Sequence, residues 1–427
     1  MQILRKNWST LIGLLLLASP LFSQVRLTYA DALAKAVQNN PQLNAADARI
    51  QSAEGLRIQS GLSPNPRGIV QLENYRAWEK PPFSFANSPD NYALVSQLLE
   101  RGSKRQRRLD AAGAVKDRYG LERDLLSRQI ASRVAAAYWS AAAAEQIKRA
   151  WQQQVQSYTD LVTYSENRLR EGVVSEADVL RAKVERNKAV LSAGNAVQDA
   201  ARARVNLFRE MGQSEFSTVE FDDPSAAAAS QLIPTMALVF QTRFEVRVAR
   251  QLVVEAQARL ALQQANAKVD PDVSLGYKRT VGVDTVYAAV SVPLPFRNRN
   301  QGNIISADAD VRTAKANLQA LQNIILAEVA AAQEEFLLRN NLLSQTLPGL
   351  RRDAEETVRI ARLAYREGGM DLLRLLDAER SRLDTEVLYF QSLSLFQQSV
   401  VNLQTATGAA PGSMAPESSP TPNPTKP

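Results

Sequence analysis

The sequence predicts a mainly α-helical chain with a small transmembrane β part, folded as a duplicated half-molecule. Three observations carry that expectation. Two very long stretches, 103–170 and 303–366, repeat apolar or small residues at helical spacing. Two shorter regions, about 68–99 and 272–293, alternate with a period of two instead. The order of these elements is written twice along the chain.

The repetition is ungapped. Arg170-Glu171-Gly172 recurs as Arg366-Glu367-Gly368, 196 residues later. At the same shift Val179-Leu180-Arg181-Ala182 meets Leu375-Leu376-Asp377-Ala378, and Met211-Gly212 meets Thr407-Gly408. The period is far longer than that of a solenoid unit, so a whole half-molecule is duplicated. Residues 24–212 form the first repeat, 213–233 a linker and 234–408 the second repeat. Residues 409–427, rich in Pro, Ser and Thr, read as a disordered tail.

Within the first repeat, Thr28-Tyr29-Ala30-Asp31 has capping-box spacing, and Leu33 and Val37 share one helical face. Asn39-Asn40-Pro41 breaks that helix, and a second runs to Gly61, ahead of Ser63-Pro64-Asn65-Pro66. Val70 and Leu72 then alternate with Gln71 and Glu73, and Tyr92, Leu94 and Ser96 with Ala93 and Val95. In the second repeat Val273, Leu275 and Tyr277 alternate with Ser274, Gly276 and Lys278. Past Gly282, Val286, Ala288, Val290 and Val292 alternate with Thr285, Tyr287, Ala289 and Ser291. Such alternation marks a membrane barrel strand or a half-buried soluble hairpin.

A long helix follows each hairpin. In 103–170 there is no proline, and Ile130, Val134, Ala137, Ala141, Ala144, Lys148, Trp151, Val155, Tyr158, Val162, Ser165 and Leu169 make a heptad seam. A helix of that length extends roughly 100 Å. The second long helix carries Pro348, an expected kink. Seams of this kind also suit a plain soluble coiled coil.

Composition removes several function classes. The chain has 427 residues, no histidine and no cysteine. The commonest general base, the commonest soft-metal ligands, disulfides and Ser/His or Cys/His triads are therefore absent. No carboxylate pair stands out from the surface charge, so an enzyme is not expected, nor a cofactor or metal site. The formal charge of +7 comes from 51 basic and 44 acidic residues interspersed along helices, a solvated pattern that does not point to nucleic acid. Arg5 and Lys6, the apolar run Leu11–Ala18 and the small residues to Ser23 have the layout of a signal peptide over 1–23. A short N-terminal anchor is the alternative. Without cysteine no lipid can be attached at the new N-terminus. No later segment offers the roughly 20 apolar residues of a spanning helix, so any membrane crossing falls to strands.

Four strands are too few to close a barrel, for which about 8 is the minimum. Left open, their edges would aggregate. Several chains must pool their strands, and a symmetric ring closes every edge. The helices attached to each strand would continue that ring as a second tube.

In these features the chain resembles the TolC-type outer-membrane efflux channels. The resemblance covers Leu27 to about Gly408. It rests on Leu27-Thr28-Tyr29-Ala30-Asp31-Ala32-Leu33 with Asn39-Asn40-Pro41, Pro64-Asn65-Pro66, Arg101-Gly102-Ser103-Lys104-Arg105 and the two Arg-Glu-Gly turns. Val292-Pro293-Leu294-Pro295-Phe296-Arg297-Asn298-Arg299-Asn300-Gln301-Gly302 is most similar to the heavy-metal, Czc-type branch. The resemblance implies a homotrimer in the outer membrane of a Gram-negative cell, with a 12-stranded β-barrel continuous with an α-helical periplasmic tunnel. It also implies a periplasmic adaptor, an inner-membrane RND-type pump reached through it, and passive export, here of metal cations. Export of drugs or proteins through the same fold, and a soluble periplasmic scaffold or adaptor, are the rival expectations.

The family further implies roles for particular positions. Arg170-Glu171-Gly172-Val173-Val174 and Arg366-Glu367-Gly368-Gly369-Met370 match its adaptor-docking tips. Asp377 matches a constricting acidic ring, with Arg374 at the other ring position, where it could pair with Asp377 at i, i+3 and blunt the charge. Asp178 and Tyr365 match a pair that holds the closed tip, although Met370 stands where an arginine is usual. The basic residues Arg101, Lys104, Arg105, Arg107 and Arg108, together with Arg297 and Arg299, fall at the junction of barrel and tunnel. They contact lipid phosphates, line the lumen or are simply solvated.

Overall fold

The computed structural model describes residues 25–38, 40–74, 89–222 and 234–411. The expected signal peptide, Asn39, residues 223–233 of the linker and 412–427 of the tail lie outside the described residues. The first half runs β1 (Val25–Leu27), α1 (Tyr29–Gln38), α2 (Pro41–Ser60), β2 (Arg67–Glu73), β3 (Asp90–Leu98), α3 (Lys104–Arg170) and α4 (Glu176–Glu210). After β4 (Val219–Phe221) the second half repeats the order: α5 (Met236–Thr242), α6 (Phe244–Asn266), β5 (Asp272–Thr280), β6 (Val283–Ser291), α7 (Gln301–Asn341), α8 (Leu347–Arg366) and α9 (Leu372–Thr407).

Local chemistry accounts for the boundaries. Thr28 Oγ1 accepts from the Asp31 amide at 3.1 Å, which starts α1. The buried Asn40 accepts from the Gln42 amide at 3.0 Å, with Pro41 in the first turn of α2. The α3 helix is unbroken over 67 residues, and none of its seam residues is exposed. Its counterpart is interrupted. Five residues of π-helix, Leu342–Thr346, separate α7 from α8, which has Pro348 in its first turn. The break expected at Pro348 thus takes the form of a widened turn just before it. The proline has no N–H to give and its ring displaces the carbonyl four residues back.

The four long strands form one antiparallel sheet in the order β2-β3-β5-β6, so the two halves join through β3 and β5. The small β1–β4 pair is parallel and ties the chain start to the segment after α4. Beneath it Tyr138, fully buried, donates to the Leu27 carbonyl at 3.0 Å and accepts from the Asp222 amide at 3.0 Å. The rings of Tyr29, Trp139 and Phe221 surround it at centroid distances of 5.5, 5.2 and 5.5 Å. This cluster is one of three cores. A second lies between α5, α6, α7 and α9, and the third near the far end of the helices, around Tyr158, Tyr365 and Leu376.

Tyr138→Phe removes the hydroxyl that bonds the Leu27 carbonyl and the part-buried Asp222 amide and is expected to lower stability by about 1–3 kcal/mol, measured by thermal unfolding in detergent. A pH dependence follows from the α2–α3 contact. Hydrogen bonds from Arg57 and Lys116 hold the Glu54 carboxyl at about 2, well below the usual carboxylate range. A lowered folded value contributes stability above the unfolded value of roughly 4.3, and loses it as pH falls toward 2. The melting difference between wild type and Glu54→Gln should therefore be present at pH 6 and shrink as pH falls below 4.

Candidate functional site

Strand register sorts the sheet into two faces. Val70, Ala93, Tyr277 and Val286 lie in one row across the four strands, and Gly68, Val95, Leu275 and Ala288 in another on the same side. Between them, on the opposite side, runs the row Ile69, Leu94, Gly276 and Tyr287, and next to it Gln71, Tyr92, Lys278 and Thr285. The apolar face is bare. Val70 is 83% exposed and Val286 80%. On the polar face the Lys278 ammonium sits 4.8 Å from the centre of the Tyr92 ring, and Tyr92 meets Tyr287 edge-on at 5.8 Å. Gly276 lies in that row because the backbone passes too close for a side chain: a Cβ would stand 2.2 Å from the Ala93 carbonyl oxygen.

At the far end the two halves make the same turn. Val173 N bonds the Arg168 carbonyl and Gly172 N the Leu169 carbonyl, both at 3.0 Å; Gly369 N and Gly368 N repeat the pattern to Ala364 and Tyr365 at 2.8 and 3.3 Å. Such a cap needs a residue at positive φ, and Gly172 (74°) and Gly368 (80°) supply it. The next helix restarts at once. Ser175 and Asp178 form a reciprocal capping box on α4, and Asp371 accepts from the Arg374 amide at 2.9 Å on α9. Arg170 and Arg366 thereby end α3 and α8, and Val173 and Gly368–Gly369 sit on the short capped turns that follow, with Val173 54% exposed.

Two expected contacts are not made among the described residues of the single chain. Asp178 does not meet Tyr365 within the chain. Its carboxylate takes the hydroxyl of Ser175 at 2.7 Å, because the capping box claims it, while the buried Tyr365 hydroxyl lies 3.4 Å from Ser165 Oγ. Arg374 does not neutralise Asp377 either. Its guanidinium leans back toward the helix start and lies 3.9 Å from Asp371, and Asp377 is exposed and has no ion pair among the described residues.

The basic junction divides in two. Lys104 is buried and bonds Asp270 and the Lys268 carbonyl, each at 2.6 Å. Arg105 binds the Gly61 carbonyl, Arg108 binds Glu100 and the Ser60 carbonyl, and Arg107 lies 3.5 Å from Asp110. Lys104, Arg105 and Arg108 thus tie the start of α3 to the segments beside it, whereas Arg107 pairs within α3. Arg101, Arg297 and Arg299 are exposed, and none has a side-chain hydrogen bond or ion pair among the described residues.

Sequence reasoning missed a polar knot inside the third core. Glu379, 4% exposed on α9, accepts from Arg362 of α8 and lies within 3.5 Å of the Gln154 amide on α3. Arg382 donates to Gln154 Oε1 at 2.6 Å and to Glu386 at 2.8 Å. The hydrogen bond to Glu379 raises the Arg362 guanidinium above its ordinary value. Only the three-helix approach buries these groups; in sequence they read as surface charge.

Among the described residues no helix is long and apolar enough to cross a membrane, and no group of three or more carboxylates is placed to hold a metal ion. Residues 32–213 match the family model described as outer membrane efflux protein. The chain is 25% identical over 399 residues to the cobalt-zinc-cadmium resistance protein CzcC of Cupriavidus metallidurans, covering 90% of each. Two solved structures share the fold. The outer-membrane channel OprN has a TM-score of 0.75 at 19% identity, covering 89% of this chain and 90% of its own. CusC has a TM-score of 0.76 at 17% identity, covering 90% and 93%.

Glu379→Ala removes the carboxylate that Arg362 and Arg382 share. The loss should approach the lower end of the roughly 3–5 kcal/mol for breaking a buried pair, because Arg362 is partly exposed. Thermal unfolding measures it, and Glu379→Gln should recover part.

Proposed function

We propose, from the match of residues 32–213 to the outer membrane efflux protein family, that this chain is the passive outer-membrane duct of a tripartite efflux system whose cargo is metal cations. One observation supports this above the rest: a four-stranded sheet with a bare apolar face and two free edges, fused to helices roughly 100 Å long. Three copies pool those strands into a twelve-stranded barrel with no edge left, the apolar rows toward lipid and the polar rows toward the bore. The helical hairpins of the homotrimer then extend that bore across the periplasm.

The glycine-capped tips meet a periplasmic adaptor, and an inner-membrane RND-type pump behind it supplies the energy. The chain catalyses nothing on this reading. Asp377 from three subunits forms a ring of carboxylates that favours cations over anions, undiminished because Arg374 is turned to Asp371. The name of the CzcC relative, which specifies cobalt, zinc and cadmium, supports the cargo. A sequence without His or Cys suits a conduit, since it offers no soft ligand to retain a metal it must release.

Planar-bilayer recording of the purified trimer tests the duct. Conductance is expected, with the cation-to-anion permeability ratio falling in Asp377→Asn. A water-soluble monomer without conductance would sink the proposal. For the cargo, deletion of the gene should sensitise cells to cobalt, zinc or cadmium; sensitivity to dyes and detergents alone would overturn it.

A further inference from the structure

The two places where a strand hands over to a long helix are built differently. After β3 the link is short and carries one exposed cation, Arg101, while the cations at the start of α3 turn inward: Lys104 to Asp270 and Arg108 to Glu100. After β6 the link runs over residues 292–300, and its side chains turn outward. Val292, Leu294 and Phe296 are 45, 69 and 78% exposed and continue the phase of the bare Val286 and Val290 past the strand end. Arg297 and Arg299 follow directly, exposed and without a side-chain partner among the described residues.

The backbone beneath them is fixed. Phe296 N bonds the Leu294 carbonyl at 2.9 Å, Asn298 Oδ1 accepts from Asn300 N at 3.0 Å, and Gln301 Oε1 accepts from Arg299 N at 2.8 Å. The Asn300 amide anchors the loop to α6, donating to the Gln263 carbonyl at 2.7 Å. Two exposed apolar residues and two exposed arginines thus follow one another on a loop of set backbone, at the helix-bearing end of an apolar sheet face. Water satisfies only half of that arrangement. A boundary of acyl chains and phosphate satisfies all of it.

We propose that residues 292–299 are a lipid-binding anchor: Leu294 and Phe296 enter the acyl boundary of the periplasmic leaflet, while Arg297 and Arg299 bind the phosphate of an anionic phospholipid. The inference rests on the duct reading, since it needs the sheet in a bilayer. It assigns the lipid to the link after β6, where two exposed cations adjoin three exposed apolar side chains, against Arg101 and Leu99 alone in the link after β3.

The test uses full-length Phe296→Trp reconstituted in phosphatidylcholine vesicles that contain brominated phosphatidylglycerol or brominated phosphatidylcholine. The added fluorescence over wild type should be quenched by both lipids. Phosphatidylglycerol should be enriched about fivefold or more at the site, as cations at an anionic surface imply. Arg297→Gln with Arg299→Gln should bring the ratio close to one without changing conductance. If the protein conducts but neither brominated lipid quenches the new indole, a neighbouring subunit or water covers the loop and the anchor is refuted while the duct stands. Equal quenching by both lipids, unchanged in the double variant, removes the arginine role. Protein that neither inserts nor conducts takes the duct reading down, and the anchor with it.

Discussion

The structure depends on how the outer edges of β2 and β6 are satisfied. Each edge presents a row of backbone donors and acceptors, and the apolar rows beside them suit hydrocarbon, where an unpaired group costs several kcal/mol. Within one chain the order β2-β3-β5-β6 leaves both edges open. In the proposed trimer a second and third copy remove the problem, and the sheet's two faces then acquire different neighbours. Register enforces the separation. A slip of one residue would carry Val70, Tyr277 and Val286 to the bore and Lys278 to lipid.

The helices inherit their positions from that sheet and need their own means of staying in register. Alanine along α3, at Ala135, Ala137, Ala141, Ala142 and Ala143, lets neighbouring helices approach closely but offers little to stop them sliding. Buried polar pins supply the stop, and several link one half of the molecule to the other. Arg118 of α3 bonds Glu255 of α6 at 2.8 Å, and Gln154 of α3 takes Arg382 of α9. Arg243 holds the last turn of α9 through the Ala406 carbonyl at 3.0 Å and reaches Glu328 of α7 at 2.9 Å. Each pin is satisfied at a single offset of the helices it joins.

Much of this was legible in the residues because it is periodic. The period-two segments fell on β2, β3, β5 and β6, the seam named on α3 is covered throughout, and the shift of 196 aligns the two tips. What escaped is nonlocal. Glu379 follows Asp377-Ala378 and precedes Arg380, a run that reads as a solvated face; its burial comes from α3 and α8 arriving from elsewhere in the chain. The same holds for Lys104 and Arg108, whose partners Asp270 and Glu100 convert a basic cluster into internal staples. Resemblance carried the positions Asp178 and Tyr365 but not their partners. Helix-capping chemistry three residues away claims the carboxylate first.

One asymmetry survives the duplication. The long element of the first half is a single rod from Lys104 to Arg170, whereas its twin from Gln301 to Arg366 contains the five-residue π segment. Two staves of nearly equal length therefore differ in stiffness. In a cylinder that alternates them, a sideways load at the tips is carried by the continuous staves as elastic strain and by the jointed ones as rotation at one level. In the proposed trimer that joint would recur three times at a common height, with continuous staves between.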